Sequence, residues 1–421
     1  MPFRLTNISK LCQISHTGTA VFLIRLAPFI QRYPTVKTLK VGYFLRALNT
    51  QRPPELPDNN NESLGKVASK ILSCQDSGAA SSQSLSEEGK PRIPFEAIPK
   101  KATSVAASND TKKLLKQYFK LTKPNLTLLV TLSSICSYAI SPNSVSIIEL
   151  IFLTAGTALC SGSANAINMG REPEFDRKMT RTSTRPVVIG AVTPRQAFQF
   201  ALATGSLGVG ILYLGVNPVV AFLGFLNIGL YGWTYTSLKR RSILNTWVGA
   251  IVGAIPPLMG WAASTTLMHP GAWSLAALLY AWQFPHFNAL SHNIADQYKG
   301  AGYVMTAAEN PKLNARVALR YSLLMFPICF SLSYFNVTDW FFAFDSSLAN
   351  GWLAYLAFQF WRQQRKNHAP NHTPSAQSIL LANVQAKKLF WCSVWQLPMV
   401  LVLAMLHKKG QWDRLWDFLQ L

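Results

Sequence analysis

The chain has 421 residues and a formal charge of +22, yet only 14% of its residues are charged, whereas soluble domains carry roughly 25%. Almost half of it is hydrophobic, and from residue 126 onward the apolar residues gather into blocks of about 20, the length that crosses a bilayer. This excludes an ordinary soluble protein of two or three domains. The basic residues lie in a leader and in short connections, with no zinc-finger spacing, so their charge does not point to nucleic acid.

Residues 1–50 contain no Asp or Glu but carry Arg4, Lys10, Arg25, Arg32, Lys37, Lys40 and Arg46. Positive charge spread through a Leu-, Phe-, Ser- and Thr-rich stretch reads as a mitochondrial transit peptide; the alternative is a basic disordered tail. Residues 51–110, rich in Pro, Ser, Asn, Gln and Lys, read as a disordered linker. Spans are expected near 125–141, 145–168, 196–215, 217–236, 244–262, 271–291, 315–335, 340–361 and 388–407. The fold expected is therefore all-α, a nine-span membrane bundle over 111–409, followed by a short interfacial tail at 410–421. The cysteines Cys12, Cys74, Cys136, Cys160, Cys329 and Cys392 are far apart and are expected as thiols, with no disulfide framework.

Charge sets the orientation. The connection after the second span holds Arg171, Arg177, Lys178, Arg181, Arg185 and Arg195. The later even connections hold Lys239, Arg240 and Arg241, then Lys299 and Lys312, then Arg362, Arg365, Lys366, Lys387 and Lys388. The odd connections near 141–146, 216, 263–270 and 336–339 have neither Lys nor Arg. By the positive-inside rule the basic loops face the matrix of a mitochondrial inner membrane.

That basic face also carries acids. Asn168, Glu172 and Asp176 are four residues apart, a spacing that stacks side chains on one helix face. Pro173 suits a first helical turn better than an interior, so the second span could end near Gly170 with a new turn starting at Pro173; whether it does or the helix runs on, the three side chains can converge. Two carboxylates so placed repel unless a cation bridges them. Magnesium takes carboxylate oxygens and shares its shell with substrate phosphates. Arg177, Lys178, Arg181 and Arg185 would then meet the surplus phosphate charge. The other reading is a solvated loop whose basic residues merely orient the chain. Lys239 and Arg240 close the fourth span on the same face, and Asn245 opens the fifth. Gly249 and Gly253 form a small-residue face for close helix packing. Gln283, His286 and Asn288 lie in the apolar sixth block and are expected to face the protein interior. His286 could ligate iron, donate a hydrogen bond or act as a base. Asp296 could join a second cation site or be a loop acid.

Together these segments closely resemble the intramembrane prenyltransferase family, and the runs Asn245–Pro257 and Trp282–Ser291 resemble its haem-modifying branch. The resemblance extends over Leu121–Pro124, Asn168–Pro186, Tyr235–Arg240, Trp282–Met305 and Phe390–Pro398, roughly residues 111–409 in all. It implies a nine-helix bundle in which magnesium holds farnesyl diphosphate between two acidic motifs. The first motif is Asn168, Glu172 and Asp176; the second lies around Asp296, Gln297 and Tyr298. Lys123, Tyr235, Asn245, His286 and Tyr298 join the basic cluster as substrate contacts. Relatives carry a basic residue and two adjacent acids where this chain has Ala295, Asp296 and Gln297. The amide oxygen of Gln297 can still serve a hard cation. The implied reaction moves a farnesyl group onto a vinyl group of haem b, a substrate and not a resident cofactor, giving haem O and diphosphate. Membrane lipid is the surrounding medium, and haem A synthase, assembly proteins and a second copy of the chain are candidate partners. Prenylation of a quinone-precursor ring, transport of an anionic cargo and a non-catalytic assembly role are the rival readings.

Overall fold

The computed structural model describes residues 104–412 apart from Ser144 and His372, with side chains described from Thr111 onward. The expected transit peptide, most of the linker and most of the interfacial tail lie outside the described residues. Helix α1 (Ser104–Leu121) leads into α2 (Pro124–Ile140), α3 (Ile147–Arg171) and the single turn α4 (Pro173–Arg177). Then follow α5 (Pro194–Gly215), α6 (Pro218–Leu238), α7 (Asn245–Ser264) and α8 (Pro270–Asn293). Two short helices, α9 (Ala295–Ala301) and α10 (Thr306–Glu309), precede α11 (Pro311–Tyr334), α12 (Phe341–Asn367) and α13 (Ala376–Leu406).

Among the described residues six helices are long and apolar enough to span a membrane: α3, α5, α6, α7, α11 and α13. Helix α2 is apolar but shorter, and α8 and α12 occupy the places of the other two expected spans. Helix α13 begins a full twelve residues before the expected 388. The starts are written locally. Thr193 and Gln196 form a reciprocal capping box on α5, and Asn217, Asn310 and Ser375 each accept a backbone N–H at the first turn of α6, α11 and α13. Proline begins α2, α4, α5, α6, α8 and α11, where its missing donor costs nothing.

The bundle is apolar outside and partly polar within. Leu202, Leu214, Phe222, Phe344 and Leu348 are all exposed, while Asn165, Asn288, Asn314, Asn350 and Gln396 are buried. The inward amides join helices to one another. Asn288 of α8 and Asn314 of α11 each donate to the other's backbone carbonyl, at 2.9 and 3.0 Å. Gln396 of α13 donates to Asn350 of α12 at 2.7 Å. Lipid tails give apolar helices no reason to prefer one another, so such bonds and close packing hold a bundle together. Gly260 of α7 is one such approach: a Cβ there would lie 2.0 Å from the Ser134 carbonyl oxygen of α2. Gly249 and Gly253 do serve packing, receiving the Tyr235 ring and the Gln283 amide. At the end away from the acids, His407 lies 3.0 Å from both Asp339 and Asp345, tying the end of α13 to the start of α12. Cys136, Cys160, Cys329 and Cys392 are free thiols.

Candidate active site

The site is assembled where α3 ends. The helix stops at Arg171, Glu172 breaks away from helical geometry, and Pro173 starts α4. This turn keeps Asn168, Glu172 and Asp176 on the inner side, all of them buried. Asn168 Nδ2 donates to Glu172 Oε2 at 2.6 Å and to Thr236 Oγ1 at 3.1 Å. Its Oδ1 accepts from Lys123 Nζ at 2.7 Å, and Lys123 also donates to the Tyr231 hydroxyl at 3.2 Å. Lys239 Nζ reaches Glu172 Oε2 at 3.0 Å, and Arg185 pairs with Asp176 through a short contact to Oδ2.

Each cation is positioned by a distinct local device. Lys123 joins α1 to α2 with φ of 48°, a left-handed conformation rarely used by residues other than glycine. Lys239 ends α6, whose residues Leu230–Tyr235 form a π-helical turn. In this wider turn Thr236 Oγ1 reaches back to the Tyr231 carbonyl at 2.8 Å, and Tyr231 and Tyr235 stack with centroids 5.3 Å apart. Single π turns often occur at functional sites. The ammonium of Lys239 lies 4.8 Å from the Tyr235 ring centre and 5.6 Å from that of Tyr303. Arg240 covers the Phe175 ring at 5.0 Å.

Electrostatically the pocket is rich in positive charge. Burial pushes the Lys123 ammonium well below its usual range, and Arg185 and Lys239 push it further. Burial also works against charge on Lys239, but Glu172 outweighs it and holds that ammonium above its usual range. Lys239 and Arg185 each pair with one of the two carboxylates, and Lys123 adds a buried amine whose charge its surroundings disfavour, so an anion placed beside it would restore that charge and be held by it.

Glu172 Oε1 is buried with no hydrogen-bond partner. Among the described residues no three His, Cys, Asp or Glu side chains gather into a ready-made metal cage. An orphaned carboxylate oxygen beside a second acid instead suits a hard cation that takes most of its shell from water and substrate oxygens.

The remaining candidates are placed less tightly. Arg181 is exposed and lies 3.4 Å from the Tyr298 hydroxyl. Gln297 Oε1 accepts from Thr180 at 2.9 Å, joining the 178–185 segment to α9. Asn245 spans the base of the site by donating to the carbonyls of Ser242 and Val304, at 2.6 and 2.7 Å. Arg177, Lys178 and Asp296 are exposed, with no side-chain hydrogen bond or ion pair among the described residues. The polar residues of α8 do face inward, but in three directions. Gln283 donates to Ala250 of α7, Asn288 turns to α11, and His286 turns to α13. Successive residues advance about 100° around a helix, so these three cannot share one face.

His286 sits in an aromatic slot, stacked on Trp282 at 4.6 Å and tilted against Phe390 at 4.8 Å. Its Nδ1 is 2.9 Å from Ser393 Oγ. That hydroxyl donates its proton to the Phe390 carbonyl at 2.6 Å, so it can only accept from His286. The Nδ1–H tautomer follows, leaving a lone pair on Nε2, which has no partner among the described residues. Sequence reading missed Tyr231, Thr236 and Ser393. Tyr231 could have been found one turn before Tyr235, whereas Thr236 reaches Asn168 only through the π turn.

Residues 128–384 match the UbiA prenyltransferase family. The chain is 67% identical over 368 residues to the mitochondrial protoheme IX farnesyltransferase of Debaryomyces hansenii, covering 84% of this chain and 79% of that one. The protein of the same name from Saccharomyces cerevisiae is 56% identical over 373 residues, covering 84% and 81%. A solved structure of digeranylgeranylglyceryl phosphate synthase shares the fold with a TM-score of 0.57 at 15% identity, covering 70% of this chain and 98% of that one. The chain belongs to the UbiA prenyltransferase family.

Proposed function

We propose that this protein transfers the farnesyl group of farnesyl diphosphate to a vinyl group of haem b, giving haem O and diphosphate on the way to haem A. The observation that carries the reading is the buried cluster at the α3–α4 break, where Lys239 and Arg185 pair with Glu172 and Asp176 and Glu172 Oε1 is left unpartnered. The substrate pair follows from the farnesyltransferases that the chain matches over most of its length.

Glu172 and Asp176, with Asn168 orienting Glu172, would hold magnesium, which would supply positive charge to the diphosphate leaving group. Lys123, Lys239 and Arg185 grip the phosphate oxygens from within, and Arg181 and Arg240 from the rim. Arg177 and Lys178 add positive potential at the entrance. Tyr235 and Tyr298 border the pocket, and Asn245 braces its base. Asp296 and Gln297 supply oxygens to a second half-site when the substrate closes it. The carbon–oxygen bond of the diphosphate ester breaks with its electron pair leaving on diphosphate. The π pair of the haem vinyl group forms the new carbon–carbon bond, and water adds to the resulting cation and loses a proton. The apolar bundle keeps bulk water from the allylic cation until the vinyl group attacks. His286 Nε2 is the contact for the haem iron.

The protein sits in the mitochondrial inner membrane with α2, α8 and α12 completing nine spans and the basic loops toward the matrix. The deciding experiment is diphosphate release from farnesyl diphosphate by the purified chain supplied with haem b and magnesium. Asp176→Asn should abolish it while the protein stays folded; near-parent transfer by that variant would overturn the metal assignment.

A further inference from the structure

A groove of about 540 Å³ opens between the start of α11 and the end of α12, lined by Lys312, Arg316, Trp361, Arg365 and His368, with no acidic residue among its lining. Its charges are badly placed for the helix that bears them. Lys312 and Arg316 lie in the first two turns of α11, where the helix dipole disfavours cations and favours anions. They and Arg320 are spaced four apart, so like charges repel along one exposed stripe. None of Lys312, Arg316, Arg320 or Arg365 has an ion pair among the described residues, and Arg365 rests on the Trp361 ring at 5.5 Å. Below the charges the surface turns apolar. Leu324 continues the Arg316–Arg320 stripe, and Phe358 lies one turn before Trp361, both exposed.

We propose that this groove binds the head group of an anionic phospholipid, with its phosphate between Lys312, Arg316 and Arg365 and its acyl chains along Leu324 and Phe358. The phosphate relieves the repulsion on α11 and meets the positive end of that helix. Trp361 stands between the apolar Phe358 and the cation Arg365, the place in sequence that boundary aromatic rings take. Basic pockets between spanning helices take phosphorylated head groups by this chemistry. A free phosphate would satisfy the charges but leave the apolar track bare.

The test uses the full chain in phosphatidylcholine nanodiscs, with and without diphosphatidylglycerol. Retained diphosphatidylglycerol and the unfolding temperature are read for the parent, for Lys312→Gln/Arg316→Gln/Arg365→Gln, and for a charge-matched control, Arg195→Gln/Arg241→Gln/Lys388→Gln. All six positions are exposed, so each variant folds, as its elution and helical spectrum in phosphatidylcholine alone would verify. At about a factor of five per cation near an anionic head group, the groove variant should lose retention on the order of a hundredfold, together with the lipid-dependent rise in unfolding temperature. The control should keep both. Inorganic phosphate added to phosphatidylcholine nanodiscs should not reproduce the rise. Equal loss in the control, no loss in the groove variant, or full stabilisation by phosphate alone would each overturn the proposal.

Discussion

Lys123 combines a strained backbone with a buried amine. Its left-handed φ costs a residue with a side chain about 1 kcal/mol relative to glycine. Against this, Nζ holds Asn168 and Tyr231 together across three helices. Lys123→Ala and Lys123→Gly therefore separate the two effects. Both should lose diphosphate release to the same extent, because both lose the amine. The Gly variant should be the more stable by about 1 kcal/mol in chemical or thermal unfolding, because it keeps the conformation without the strain. Equal stability would mean that the turn has no preference for glycine. Ser393 poses a similar question at the aromatic slot. Ser393→Ala removes the acceptor that fixes the His286 tautomer, but leaves the backbone carbonyl that Trp282 uses. Loss of such an orienting partner weakens a metal contact by about 10–100-fold. Haem b titrated into the variant should bind that much more weakly, with a displaced absorption band. An unchanged band and affinity would remove His286 from the iron.

At the level of helices, Gly260 is where substitution has no soft neighbour to move. The atom that a new Cβ meets is the Ser134 backbone carbonyl, so α2 and α7 must part. Overpacking of this kind costs about 1–3 kcal/mol. Gly260→Ala should lower the unfolding temperature in detergent, whereas Gly253→Ala, which meets the end of the Gln283 side chain and costs at most its amide hydrogen bonds to Ala250 and Leu279, should do so less. Comparable losses would show that helix separation is not limiting. Much of this level was legible in the sequence. Pro173 marked the break between α3 and α4 because proline suits a first turn and not an interior. The early start of α13 was hidden because a window for apolar residues ends at Lys387 and Lys388. The helix itself continues to the Ser375 cap through residues that nothing interrupts. The division of Gln283, His286 and Asn288 among three neighbours was also hidden. Helical phase gives their relative directions, but only the packed bundle says which helix stands in each. The inward face of Glu172 and Asp176 follows from spacing, while their pairing with Lys239 and Arg185 depends on loops that close over long sequence separations.

On the scale of the whole molecule, orientation and chemistry are a single problem. The connections that bear the site also bear the cations, and a basic loop resists transfer across the membrane, at about 2.5–3.5 kcal/mol for each charge taken to the bilayer centre. The connection between α7 and α8 carries no Lys or Arg and leaves Met268 strongly exposed. Thr184 lies exposed in the basic segment between Asp176 and α5. Cysteine placed at either position can report the side it faces. Cys160, Cys329 and Cys392 are buried, so background labelling is confined to Cys12, Cys74 and the half-buried Cys136, each of which is first replaced by serine. In mitochondria stripped of their outer membrane, an impermeant maleimide should label Met268→Cys directly. It should label Thr184→Cys only after detergent opens the inner membrane. The reverse pattern would place the pocket on the outer side, where diphosphate would be released away from the matrix, and would break the link between loop charge and orientation. Labelling of both before detergent would mean that an odd number of α5, α6 and α7, the helices between the two positions, fails to cross.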